Sequence, residues 1–211
     1  MNKPRKNDFG LTRERPLDPA RTALLVVDVQ NVVLEEPESL ANAYFQAEAR
    51  ERVIPNLTRL IGGCRTAGAE VMYTVMENLT KDGRDRGLDY KLSGFFIAKG
   101  SREAQVIDAV APGDDDIVLP KTSSSLFNST IVDYLLRNIG IDTVAVTGFL
   151  TDQCVDHTLR DAADRGYYPV CIADACATHA PERHEAALKL FGGYCRTTTT
   201  DGFLAELRAA R

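Results

Sequence analysis

The stretch TVAVTGFLTDQCVDHTLRDAADRG, residues 143–166, decides how the chain folds. Its first half is apolar without alternation, the mark of a strand buried on both faces. A polar turn follows, and a cysteine sits in it. After that come Val155, Leu159 and Ala162 at helical spacing, with Gly166 as a stop. A doubly buried strand running straight into an amphipathic helix is half of a βαβ unit.

The same alternation extends in both directions. Strands are expected at residues 22–29 (TALLVVDV), 70–76 (EVMYTVM), 116–120 (DIVLP), 142–149, 168–174 (YPVCIAD) and 195–200 (CRTTTT). Helices are expected over about 47–67, where Gly68 is a stop, and over 100–110, capped by Ser101. Further helices are expected over 128–140, 152–166, 180–193 and 201–210. Interleaved buried strands and helices predict a doubly wound α/β fold around a parallel sheet. Ligands in such folds sit beyond the carboxyl ends of the strands.

At 211 residues the chain suits one domain with one well-formed core. The domain is expected over 21–211, behind a polar arm over 1–20 that carries Lys3, Arg5, Lys6, Arg13 and Arg15. A net charge of −5 argues against nucleic acid as a partner, since phosphate binding needs a basic face. The opening residues form no apolar leader, and no apolar run is long enough to span a bilayer. Five cysteines, an odd number without a C-x-x-C pair, fit free thiols in a reducing compartment. A cytoplasmic location without membrane contact is therefore expected.

Three strand ends carry chemistry. Asp28 closes the first strand, Lys121 follows the third and Cys154 follows the fourth. Asp28 is either a general base, a partner for a cation, or a cap of the turn. Lys121 alone reads as a loop lysine; beside an ionised Asp28 it stays charged and balances the site. Cys154 is either a small packing residue or a nucleophile whose thiol is acidified by a helix N-terminus and a nearby lysine. The backbone N–H groups of LTDQC are placed to hold an oxyanion.

These pieces resemble the isochorismatase-like cysteine hydrolases: ALLVVDVQN (23–31), LPKTSSSLFNST (119–130), GFLTDQCVDHTLRDAADRGY (148–167) and ADACAT (173–178) stand in the family's order. The resemblance implies a three-layer α/β/α sandwich on a six-stranded, mainly parallel sheet. It implies a catalytic triad of Asp28, Lys121 and Cys154, with Cys154 attacking the carbonyl carbon of an amide or ureido group. Asp28 would take the thiol proton and pass it to the leaving nitrogen. It also implies a cis peptide at Phe149–Leu150, with the N–H groups of Leu150 and Cys154 as oxyanion donors and Thr151 and Asp152 holding the loop. Related nicotinamidases bind a metal through an Asp and several His ahead of the third strand. Here His157, His179 and His184 all follow Cys154, so neither metal nor cofactor is expected. A vinyl-ether hydrolase of the isochorismatase type, or a ligand-binding member without turnover, is the alternative to C–N hydrolysis. The resemblance also suggests a homo-oligomer, dimer or tetramer.

Residues 77–96, ENLTKDGRDRGLDYKLSGFF, read either as a solvated loop or as a lid. As a lid, Arg84, Arg86 and Tyr90 would meet the substrate, an arginine or Lys91 facing a carboxylate. Gln30 and Thr178 are further candidates for the pocket wall. Asp174 is expected to cap the turn after it, and His157 to face away from Cys154.

Overall fold

A computed structural model describes residues 10–34 and 42–210 of the protein. Six strands form one sheet: β1 (Thr22–Val27), β2 (Glu70–Met76), β3 (Ile117–Lys121), β4 (Thr143–Phe149), β5 (Tyr168–Ala177) and β6 (Arg196–Thr198). The order is β3-β2-β1-β4-β5-β6, and every pairing is parallel. The order reverses at β1, between β2 and β4. That is where a doubly wound sheet opens a crevice.

Alternation along β1 divides the core. Leu24 and Val26 pack on one side, with Tyr73 of β2; Ala23, Leu25 and Val27 pack on the other, with Met72. The first side is covered by α3 (Ile54–Ala67) and the C-terminal helix Thr200–Ala209, through Leu57, Leu60, Phe203 and Leu207. The second is covered by helices Val132–Asn138, Asp156–Asp164 and Pro181–Phe191, through Leu136, Leu159 and Phe191. Each such side chain taken out of water stabilises the fold by about 1.5–3 kcal/mol. The remaining helices are short: α1 (Asn31–Leu34), α2 (Ala43–Glu48), α4 (Leu88–Leu92) and α5 (Leu126–Ser129). In chain order the four covering helices after α5 are α6, α7, α8 and α9.

Several elements differ from the sequence expectation, each for a local reason. The helix expected from residue 47 starts at Ala43, capped by Asn42, and widens into a five-residue i→i−5 turn over Ala49–Val53. Pro55 follows at the start of α3 and has no N–H to continue the ladder. The segment 100–110 is not an α-helix; only Asp108–Val110 forms a single 3-10 turn. Its backbone accepts from Asn31 and Val32 and donates to Val29, and Val106 bridges Gln30, so pairing with the chain after β1 replaces internal helical bonds. The helix expected over 128–140 is two pieces, because Thr130 is extended and its hydroxyl accepts from Val132 N to start α6. Pro120 lies inside β3 rather than ending it; β3 is an edge strand, where a missing donor is tolerated. β5 runs three residues beyond Asp174, with a register shift against β4 between Val146 and Gly148.

Residues 10–20, expected as a free arm, lie against the sheet. Leu17 is in the core, and Arg15 and Arg21 both pair with Asp142 at the start of β4. Lys3, Arg5 and Lys6 lie outside the described residues.

Candidate active site

β1 ends at Val27, and the next residue turns off the sheet. Asp28 has φ +56°, a left-handed conformation that aspartate tolerates better than most residues. Its N–H bonds Thr74 O at 3.1 Å, and Thr74 Oγ1 donates to Asp28 Oδ1 at 3.0 Å. The carboxylate is 1% exposed. A buried charge of this kind needs a partner. That partner is Lys121, the last residue of β3, whose Nζ is 2.9 Å from Oδ2 and whose side chain is 0% exposed.

Lys121 Nζ donates at 3.0 Å to Ser123 O, at 3.4 Å to Tyr90 Oη and at 3.4 Å to Cys154 Sγ. An ammonium has three protons, and of its four polar neighbours the carboxylate oxygen Asp28 Oδ2 is the nearest and the only charged one, so the Asp28 contact is the strongest of the set. Burial by itself would lower the pKa of Lys121. Asp28, Cys154 and Tyr90 outweigh it and hold the ammonium charged, its pKa raised above the ordinary lysine value.

Cys154 arrives from β4 through a wide turn, Thr151–Val155, in which Val155 N reaches back to Leu150 O at 3.2 Å. The peptide Phe149–Leu150 is cis. Gly148, with φ +103°, lets β4 lie against β1: a Cβ there would be 2.1 Å from Val27 O. Arg183 pairs with Asp152 Oδ2 at 2.5 Å, Thr178 Oγ1 bonds Asp152 Oδ1 at 2.5 Å, and Thr151 Oγ1 meets His184 Nδ1 at 2.9 Å. The cysteine turn is therefore gripped from α8 and from the end of β5.

The expectation of an acidified thiol is corrected. Burial pushes Cys154 up to about 12; Lys121 opposes this, and the nearby negative charge of Asp28 adds to it. A helix N-terminus and one ammonium do not offset full burial next to a carboxylate. The resting sulfur is a neutral thiol with a base beside it.

Above these groups lies a cleft of about 530 Å³, with Asp28 and Cys154 in its lining. Phe45 and Phe149 meet edge to face at 4.7 Å, and Phe45 and His179 at 5.4 Å, forming one wall. Tyr90 and Phe95, 5.0 Å apart, form another. Leu150, Ser93, Ser124, Gln153 and Asp89 complete much of the lining. Tyr90 therefore stands where the sequence placed it, on the cleft and against Lys121.

Four other candidates do not line the cleft. Gln30 spends its amide on backbone, accepting from Met76 N at 2.7 Å and donating to Met76 O and Ala104 O. Thr178 sits behind Asp152. Arg84 is exposed and pairs with Asp82 at 3.1 Å. Arg86 donates to Gly83 O and Phe95 O, closing its own loop. Asp174 caps α9, accepting from Thr200 N at 2.7 Å, rather than its own turn. His157, expected to face away, lines the cleft, because the wide turn over Thr151–Val155 rotates α7 relative to an ideal helix started at Asp152. Phe45, Asp89 and His179 were missed; single residues scattered over helices and loops carry no signal of a shared cleft. Among the described residues no group of three His, Cys, Asp or Glu side chains could hold a metal.

A parallel sheet in this order, with acid, ammonium and thiol meeting at its reversal point, defines an α/β enzyme-like site of the cysteine-hydrolase kind. The isochorismatase domain model matches residues 22–201, and the chain belongs to that family. The ureidoacrylate amidohydrolase RutB of Serratia proteamaculans is 34% identical over 190 residues, covering 81% of this chain and 75% of the relative. A cysteine hydrolase from Pseudomonas syringae pv. phaseolicola superposes with a TM-score of 0.85 at 27% identity, covering 94% of this chain and 97% of that one. N-carbamoylsarcosine amidase from Thermoplasma acidophilum gives 0.71 at 28% identity, covering 86% and 97%.

Proposed function

We propose that the protein is a hydrolase that cleaves a C–N bond of a small amide or ureido compound, with Cys154 as nucleophile, Asp28 as proton carrier and Lys121 as the fixed counter-charge. The observation that supports this most is the meeting of Cys154 Sγ, Lys121 Nζ and the Asp28 carboxylate at a cleft. The relatives named as an amidohydrolase and an amidase agree with it.

In this reading Asp28 takes the thiol proton as sulfur attacks the carbonyl carbon. The developing oxyanion is held by the N–H groups of Leu150 and Cys154. Collapse of the tetrahedral adduct breaks the C–N bond, and Asp28 returns its proton to the leaving nitrogen. The thioester left on Cys154 is opened by water, which Asp28 deprotonates; the acyl group leaves as an acid and the thiol is restored. Lys121 remains an ammonium throughout and stays paired with Asp28 between steps.

Incubating the protein with a panel of small amides and ureas, then measuring intact mass, tests the scheme. An acyl adduct that Cys154→Ala abolishes is expected. Turnover that survives Cys154→Ala would favour vinyl-ether or other non-covalent hydrolysis instead. Total silence would favour a ligand-binding role. We also infer a homo-oligomer, dimer or tetramer, on the exposed apolar side chains Leu88, Leu92 and Phe96 beside the cleft. Light scattering at several concentrations checks it, and a monomer at all of them refutes it.

A further inference from the structure

We propose that Asp89 sets substrate charge, so that the cleft disfavours carboxylate-bearing substrates and accepts amides or ureas whose far end is neutral or positively charged. This rests on the hydrolase reading for its chemistry, but on the cleft alone for its electrostatics.

No arginine or lysine lines the cleft among the described residues. The nearby cations are already engaged. Arg84 is on Asp82, Arg86 is on two carbonyls, Lys91 Nζ is on Arg84 O at 2.8 Å, and Arg183 is on Asp152. Lys121 is matched by Asp28 beneath the floor. Burial, helped by Arg183, holds His179 below the usual imidazole range, so it is uncharged at neutral pH. Of the three carboxylates in the lining, Asp28 and Asp152 are each paired with a cation, while Asp89, on α4 next to Tyr90, has no such ion pair among the described residues. An incoming carboxylate therefore meets a negative charge and no positive one to replace its lost water. An ammonium or a neutral amide meets no such penalty.

Two thiol reagents of nearly equal size, iodoacetamide and iodoacetate, test the electrostatics without requiring turnover. Their alkylation rates at Cys154 are read by mass, corrected with Cys154→Ala, and divided by the same ratio for glutathione. The neutral reagent should be favoured about five- to tenfold, the order of about 1 kcal/mol that one carboxylate lining a partly wet cleft supplies. Asp89→Asn should remove most of that preference and Asp89→Arg should reverse it. Asp89 is exposed, so both variants keep the fold. A corrected ratio near one, or a ratio that neither substitution moves, overturns the proposal. Hydrolysis of 3-ureidopropanoate, 3-ureidopropanamide and 2-aminoethylurea separates the two levels. Equal turnover of all three leaves the hydrolase reading intact and overturns the role of Asp89. No turnover of any, with the Asp89-dependent alkylation ratio intact, supports the charge filter and weighs against C–N hydrolysis of such ureas.

Discussion

Replacing Asp28 by Asn should make Cys154 more acidic and yet destroy turnover. In the native site the thiol is held up to about 12, by burial first and by Asp28 in addition, against the opposing pull of Lys121. Asn keeps the shape of the side chain and removes its charge. Two unit charges about 4 Å apart at an effective dielectric of about 20–40 interact by roughly 2–4 kcal/mol. At about 1.4 kcal/mol per pH unit, the thiol should titrate roughly 1.5–3 units lower than in the native protein. The stranded ammonium of Lys121 works in the same direction, because the thiolate becomes its only anionic neighbour. The assay is the pH profile of iodoacetamide alkylation, together with ultraviolet absorbance of the thiolate. Hydrolysis should fall by about 10²–10⁴-fold, since no group remains to carry the proton to the leaving nitrogen. An alkylation profile that stays in place or moves upward would refute the electrostatic reasoning. Turnover within a few-fold of native would remove Asp28 from the mechanism.

Gly148→Ala should destabilise the protein by roughly 3–5 kcal/mol, because the new Cβ would overlap Val27 O at 2.1 Å in a left-handed backbone of φ +103°; a melting temperature within a degree of native would contradict that geometry. Stability should decline above pH 9. Burial raises Cys64 and Cys154 to about 12 and Cys195 to about 11 from an ordinary 9.0. The folded thiols keep their protons while the unfolded ones lose them, so this contribution is present below pH 9 and disappears as pH rises toward 12. Urea midpoints that stay constant between about pH 8 and pH 10.5 would count against it. Arg84→Ala should leave KM unchanged for acidic and neutral substrates alike, and Arg86→Ala should raise both together by loosening the loop that carries Tyr90. A loss confined to acidic substrates would restore the lid arginines to the site.

Much of the architecture was legible in the chain because burial on both faces of a strand leaves a continuous apolar run. TALLVV, EVMYTVM and TVAVTGF announced β1, β2 and β4 almost to the residue. Where the chain's partners lie far away in sequence, the pattern misled. Residues 100–110 look helical, yet their backbone pairs with residues 29–32, some seventy positions earlier. Arg84 and Arg86 look like ligand-binding cations, yet Asp82, Gly83 and Phe95 take their bonds.

The order of residues by itself determined which strands exist, and that an acid, an amine and a thiol stand at three of their ends. Only the folded sheet decided that β1, β3 and β4 deliver those groups to one point, that the buried amine pairs with the acid while also reaching the sulfur, and that burial keeps the sulfur protonated. Periodicity is a property of neighbours along the chain, whereas desolvation and charge pairing depend on distances across the sheet, which no local pattern encodes.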